Sequence, residues 1–154
     1  MNYIHFYNKL IKLTTNKKLY KSLGKQDSFN DRLLVFLFHF AFFLKVFKSE
    51  ENEKKLQEIY DFNFRQLELS IREIGYGDAS INKKMKDYIN LFHDIIGKIE
   101  NWNSINQMEK SKIIKVLLIT DNSDNLSIYF DKYSIELKNN TLNYYIKSVI
   151  KPKN

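Results

Sequence analysis

The sequence predicts an all-α protein: a single domain of seven or eight helices packed around a buried central helix near residues 30–48. Three observations predict it. The 154 residues include one Pro and four Gly, so long segments are free of helix breakers. Apolar residues recur at helical spacing along most of the chain rather than in the alternation of a strand. Leu33 to Leu44 reads LLVFLFHFAFFL, apolar nearly all round, as expected of a helix buried on most sides. A membrane span needs about 20 such residues, and here Lys45 follows after 12. A hydrophobic content of 44% suits one domain with a sizeable core.

In chain order, residues 2–14 form an amphipathic helix with Tyr3, Phe6, Tyr7, Leu10 and Ile11 on its apolar side. A short helix from Thr15 to Leu23 stops at Gly24. Ser28 or Asn30 caps the central helix, which runs to about Lys48 and carries His39 among its apolar residues. A lone His in such a run reads as a hydrogen-bonded core residue rather than a ligand. Ser49 caps the next helix, whose Glu50, Glu51 and Glu53 suit the positive helix end. It continues to Ile74 with Leu56, Tyr60, Phe64, Leu67, Ile71 and Ile74 in one stripe. Asp61–Arg65 and Glu68–Arg72 are correctly ordered ion pairs on its exposed side. Phe62 and Leu69 fall off the stripe and call for a second neighbour. Further helices span Ile81 to about Trp102, Gln107 to Thr120 and residues 124–138, the last capped by Ser123 or Asp124. Ile128 to Phe130 would equally start a strand. Thr141 caps a final helix to about Ile150, before Pro152.

Between the two longest helices lies the most specific residue order, LELSIREIGYGDASINKKMK from Leu67 to Lys86. Gly75 suits a left-handed helix end, Gly77 a second permissive position, and Asp78 or Ser80 an N-cap, giving a tight corner. Lys83, Lys84 and Lys86 crowd the start of the following helix, where cations are disfavoured. A local cost without local benefit hints at a partner; neutralisation by Asp78 and Asp87 is the structural alternative. Arg32 lacks apolar company and would pair with Glu73 or Asp78 across the fold.

Arg72-Glu73-Ile74-Gly75-Tyr76-Gly77-Asp78, followed by Lys83-Lys84-Met85-Lys86, resembles the signature of the ubiquinol–cytochrome c chaperone family. Asp27, Asp31-Arg32 and the run carrying His39 resemble a second family segment, with Asp31 where Gly is usual. Phe92 stands where the family often has an aromatic. The resemblance covers roughly residues 20–100 and is strongest over 27–100. With the charge distribution, the chain divides into a basic N-terminal helical segment, 1–26, and a helical chaperone-like domain, 27–154. The resemblance implies a helical, non-catalytic assembly factor for the respiratory ubiquinol–cytochrome c reductase. The implied client is newly made cytochrome b, met near the ribosome and the membrane, with a partner subunit a further candidate. Residues expected at the contact are Arg72, Glu73, Gly75, Gly77 and Asp78, with Lys83, Lys84 and Lys86 beside them. Phe42, Phe43 and Phe47 are expected as an exposed aromatic patch for a membrane client. The start of the chain lacks the Arg and Ser of a transit peptide, and the sequence is short. The expectation is a bacterial member, cytoplasmic and peripheral to the inner membrane.

Net charge is +7, and residues 1–26 supply +6 of it through Lys9, Lys12, Lys17, Lys18, Lys21 and Lys25 without one acid. Such a segment attracts RNA, a ribosome surface or an anionic membrane surface, so a basic RNA- or ribosome-binding protein, or a peripheral membrane protein, is the alternative function. Enzyme classes lack a constellation. His5, His39 and His93 are far apart, and no metal, nucleophile-elbow or phosphate-loop motif occurs. Asp121 to Asn125 resembles a calcium loop only faintly, since Leu126 and Lys132 replace the needed Gly and Glu. No metal and no cofactor is expected, and the absence of Cys excludes disulfides.

Overall fold

The computed structural model describes residues 2–16, 19, 29–118, 120 and 122–147. Among these there are seven α-helices and no strand. They are α1 (Ile4–Thr14), α2 (Phe29–Phe47), α3 (Glu53–Ile74), α4 (Asp78–Ile99), α5 (Gln107–Leu118), α6 (Ser123–Lys138) and α7 (Leu142–Ile146), with a 3-10 turn at Trp102–Ser104. The chain is one all-α domain, and α2 is its axis: every residue from Val35 to Phe43 is buried.

Three helices enclose α2, which packs on α1, α4 and α6. Phe6 of α1 meets Phe40 and, at 4.4 Å between ring centres, Phe43. Phe92 of α4 stacks on Phe40 at 5.1 Å. Phe130 of α6 stacks on Phe42 at 5.2 Å and tilts against Phe38. An all-round apolar helix thus finds an apolar neighbour on each side, and aromatic pairs add about 0.5–1.5 kcal/mol each beyond area burial. Phe42, Phe43 and Phe47 are all buried, so they are not the exposed aromatic patch expected from the sequence. The aromatic side chains of α2 are covered within the fold, Phe47 by Tyr145 of α7 and Phe42 by Trp102 as well, rather than left for a client.

Element starts differ from the expected caps. α3 begins at Glu53, not Glu50, because the linker closes as a turn: Ser49 Oγ accepts from the Asn52 N–H at 3.2 Å, and the Asn52 amide donates to the Phe47 carbonyl at 2.8 Å. Asn30 lies within the first turn of α2, and Ser28 is outside the described residues. Asn122, not Ser123 or Asp124, is the N-cap of α6, without a side-chain bond; residues 128–130 are helical there. Thr141 caps α7 as expected, accepting from the Tyr144 N–H at 3.1 Å, but α7 ends at Ile146. α4 ends at Ile99 and α5 at Leu118, both short of expectation. The expected helix from Thr15 to Leu23 falls largely outside the described residues, as do Lys17, Lys18, Lys21, Lys25 and Asp27.

Polar groups hold the C-terminal half in register. The ring of Trp102 is buried edge-on to Phe42, and its Nε1 donates to Asp131 at 2.7 Å. Lys110 bonds the same carboxylate at 3.0 Å. Along the α5–α6 seam, Gln107 donates to Ser127, and Ser111 donates to Asp124. The buried serines of the seam are thereby hydrogen-bonded.

Candidate functional site

The segment from Arg72 to Ser80 is a run of nine consecutive exposed residues. Local rules build it. Leu67 and Ile71 end the buried stripe of α3. Gly75 then takes φ 104°, a left-handed conformation that reverses the chain, and its N–H bonds the Arg72 carbonyl at 3.0 Å. Gly77, the N-cap of α4, is extended at φ −75° and ψ 164°. Its carbonyl accepts the Ile81 N–H at 2.9 Å. So Gly77 is not a second permissive position by need; any residue adopts that backbone. Neither Asp78 nor Ser80 caps α4, which starts at Asp78 without a side-chain cap bond.

Asp78 is occupied otherwise. The Arg72 guanidinium reaches Asp78 Oδ1 at 2.7 Å and Glu68 Oε2 at 3.3 Å. Those two carboxylates, Asp78 first, raise the Arg72 pKa. The triad is solvent-exposed, where ion pairs contribute little stability; it links the last turn of α3 to the first turn of α4. Arg32 does not take Asp78. It lines a 260 Å³ cavity with Tyr7, Leu33, Phe36, Leu67 and Ser70, between α1, α2 and α3. Glu73 lies on that side: the Tyr7 pKa is raised chiefly by burial, with the charge of Glu73 adding to it. The expected Asp61–Arg65 pair does not form; Asp61 accepts from Gln57 at 3.0 Å.

Two features of the corner were not legible from spacing. Ile74, assigned to the buried stripe, is 54% exposed, and Tyr76 and Leu69 are 43% and 42% exposed. Helical periodicity gives the direction of a side chain but not where its neighbour ends, and α4 turns away just there. Among the described residues, Lys83, Lys84 and Lys86 have no carboxylate within ion-pair distance, so neither Asp78 nor Asp87 neutralises them. Lys84 instead places its ammonium 4.5 Å from the Tyr76 ring centre, a cation–π contact.

No group of three His, Asp or Glu side chains among the described residues is arranged to hold a metal ion. His39 is a core residue, bonded to the Val35 carbonyl at 2.8 Å and the Tyr129 hydroxyl at 2.6 Å. His93 bonds Tyr60 at 3.0 Å on the surface.

A single helical domain that displays its most distinctive residues to solvent has the build of an interaction protein. The family model for the ubiquinol–cytochrome C chaperone matches residues 21–101, more than half of the chain, and the chain belongs to that family. The matched span contains α2, α3, the corner and α4. No curated protein and no solved structure gives a significant match.

Proposed function

We propose that this protein is a non-catalytic assembly chaperone that binds newly made cytochrome b during biogenesis of the ubiquinol–cytochrome c reductase, at the cytoplasmic surface of a bacterial inner membrane. Family membership supports the assembly role. The observation that carries the client reading is the corner itself, where exposed Leu69, Ile74 and Tyr76 coincide with the residue order that marks the family; Met108, Val116, Ile135 and Tyr144 are exposed elsewhere, outside the matched span. A chaperone for a membrane client must shield apolar segments before they are inserted, which calls for exposed apolar surface of its own. Arg72, Glu73 and Asp78 add charged groups at its rim.

The test is affinity capture of the tagged protein from cells solubilised in mild detergent, with bound proteins identified. Cytochrome b is expected with the native chain, and is expected to be lost from an Arg72→Gln/Asp78→Asn variant whose melting temperature is unchanged. Joint loss of melting temperature and capture would make the triad structural only. Capture of ribosomal proteins or RNA alone, released steeply with salt, would overturn the client reading.

A further inference from the structure

Both ends of the sequence are free of acids. Residues 1–26 carry six lysines, and residues 137–154 carry Lys138, Lys147, Lys151 and Lys153. The stretch between them, 27–136, holds 15 basic and 18 acidic residues. The fold brings α1 and α7, from the two basic ends, together. Lys9 of α1 bonds the Lys147 carbonyl at 3.4 Å and places its ammonium 5.7 Å from the Tyr144 ring centre. Beside this contact, α1, α6 and α7 wall a groove of about 1130 Å³, at the upper end of the size of small-molecule sites. Its floor is Phe6, Leu10 and Phe43, all buried. Lys9, Lys12 and Lys132 line it, and Glu136 is the one acid that does. Lys12 and Lys132 are exposed and have no carboxylate within ion-pair distance among the described residues. α7 crosses one end of the groove: Tyr145 donates to the Glu136 carbonyl at 3.2 Å and packs edge-on to Phe43. Phe6 meets Phe43 at that same end. Lys12 and Lys132, one to two helical turns along α1 and α6, therefore stand toward the other end, its mouth.

We propose that this groove binds a single-chain acyl anion, with the chain laid over the apolar floor between Leu13 and Tyr145 and the headgroup at the mouth on Lys12 and Lys132. An alkyl chain gains by leaving water along its whole length. A headgroup anion gains from two cations that no carboxylate among the described residues neutralises. Tyr133 lines the groove as well, and burial pushes its pKa up, so its hydroxyl stays protonated and able to donate. The shape decides against larger anions. A bilayer surface cannot enter a concave site, and a nucleic acid or an extended polypeptide would have to pass α7. Nor are the rings open platforms for bases: Tyr129 and Tyr133 lie against His39, and Tyr145 lies against Phe43 and Phe47. The groove shares no residue with the α3–α4 corner, so the inference goes beyond the client reading and does not rest on it.

The experiment is titration of the purified full-length chain with cis-parinaric acid, a fluorescent long-chain fatty acid, read by emission of the probe. Saturable binding of one probe per chain is expected. The methyl ester of the probe, which lacks the charge, is expected to bind roughly tenfold or more weakly. Lys12→Gln/Lys132→Gln is expected to weaken binding of the acid by a similar factor and to leave the ester unchanged. Leu13→Gln is expected to weaken acid and ester alike. Lys112→Gln/Lys115→Gln in α5 removes the same charge far from the groove, and is expected to change the affinity by less than about twofold, because such distant charges are screened. Melting temperatures matching that of the native chain verify folding of the lysine variants. Displacement of the probe by palmitate or by lysophosphatidic acid tells a carboxylate from a phosphate headgroup, both of which carry the proposed chemistry. Absence of saturable binding overturns the proposal. So does equal affinity for acid and ester, or an equal loss in the groove and α5 lysine variants. No client is present, so this inference and the capture of cytochrome b can each fail while the other stands.

Discussion

The imidazole of His39 is fully buried between the Val35 carbonyl and the Tyr129 hydroxyl. A carbonyl only accepts, so Nδ1 carries the proton and Tyr129 donates to Nε2. Burial lowers the His39 pKa from the ordinary 6.5 to about 4. Between those values the unfolded chain takes up the proton and the folded one does not. The stability due to the neutral ring is therefore complete above pH 6.5 and is lost as pH falls through about 4. The loss amounts to about 3 kcal/mol. Urea midpoints should drop more for the native chain than for His39→Gln on acidification through this window. Equal drops would show that the ring is already charged in the fold. Asn63 of α3 is a second residue-scale case. It is buried, and neither amide atom has a hydrogen-bond partner. Such a group costs about 1–3 kcal/mol, so Asn63→Leu should raise the midpoint by a similar amount. A fall would mean that the amide is bonded after all.

At the scale of elements, the hairpin of α3 and α4 was legible because its signals are local. Gly75 closes a helix by its own backbone chemistry, and Glu68 and Arg72 lie one helical turn apart. Gly75→Ala is expected to lower stability by about 1–2 kcal/mol, since an L side chain is strained at φ 104° although nothing lies within 4 Å to clash with it. Gly77→Ser should change it by only a few tenths, upward, by adding a cap at an unstrained position. Thermal melts of the two variants separate these predictions, and equal losses would refute the assignment of the reversal to Gly75. Caps were less legible. Ser49, Asp78 and Ser123 are all good cap types, but Ser49 bonds inside a turn and Asp78 is drawn to Arg72. Competition among nearby donors decides the cap, and a sequence does not rank those donors. The exposure of Ile74 was hidden for a different reason: the length of α3 exceeds the cover its neighbours give.

At the scale of the molecule, the run from Leu33 to Leu44 announced the axis of the fold, since nothing but enclosure satisfies so many aromatic side chains. It did not announce how many helices would enclose it, and so Phe42, Phe43 and Phe47 looked like surplus. α1 is one of those helices, although its lysines suggested a separable arm. Phe6→Ala should therefore cost about 3–5 kcal/mol and shift the whole unfolding transition, still as one step. A small early transition with the main one unmoved would show that α1 melts alone.

Trp102 is the single tryptophan of the chain, sealed against Phe42 and hydrogen-bonded to Asp131, and it lies outside the corner. Its fluorescence is thus a private optical channel. Emission will report whether α2, α5 and α6 remain assembled and will be blind to what happens at Ile74 and Tyr76. A corner variant can thus be scored for intact folding without a label.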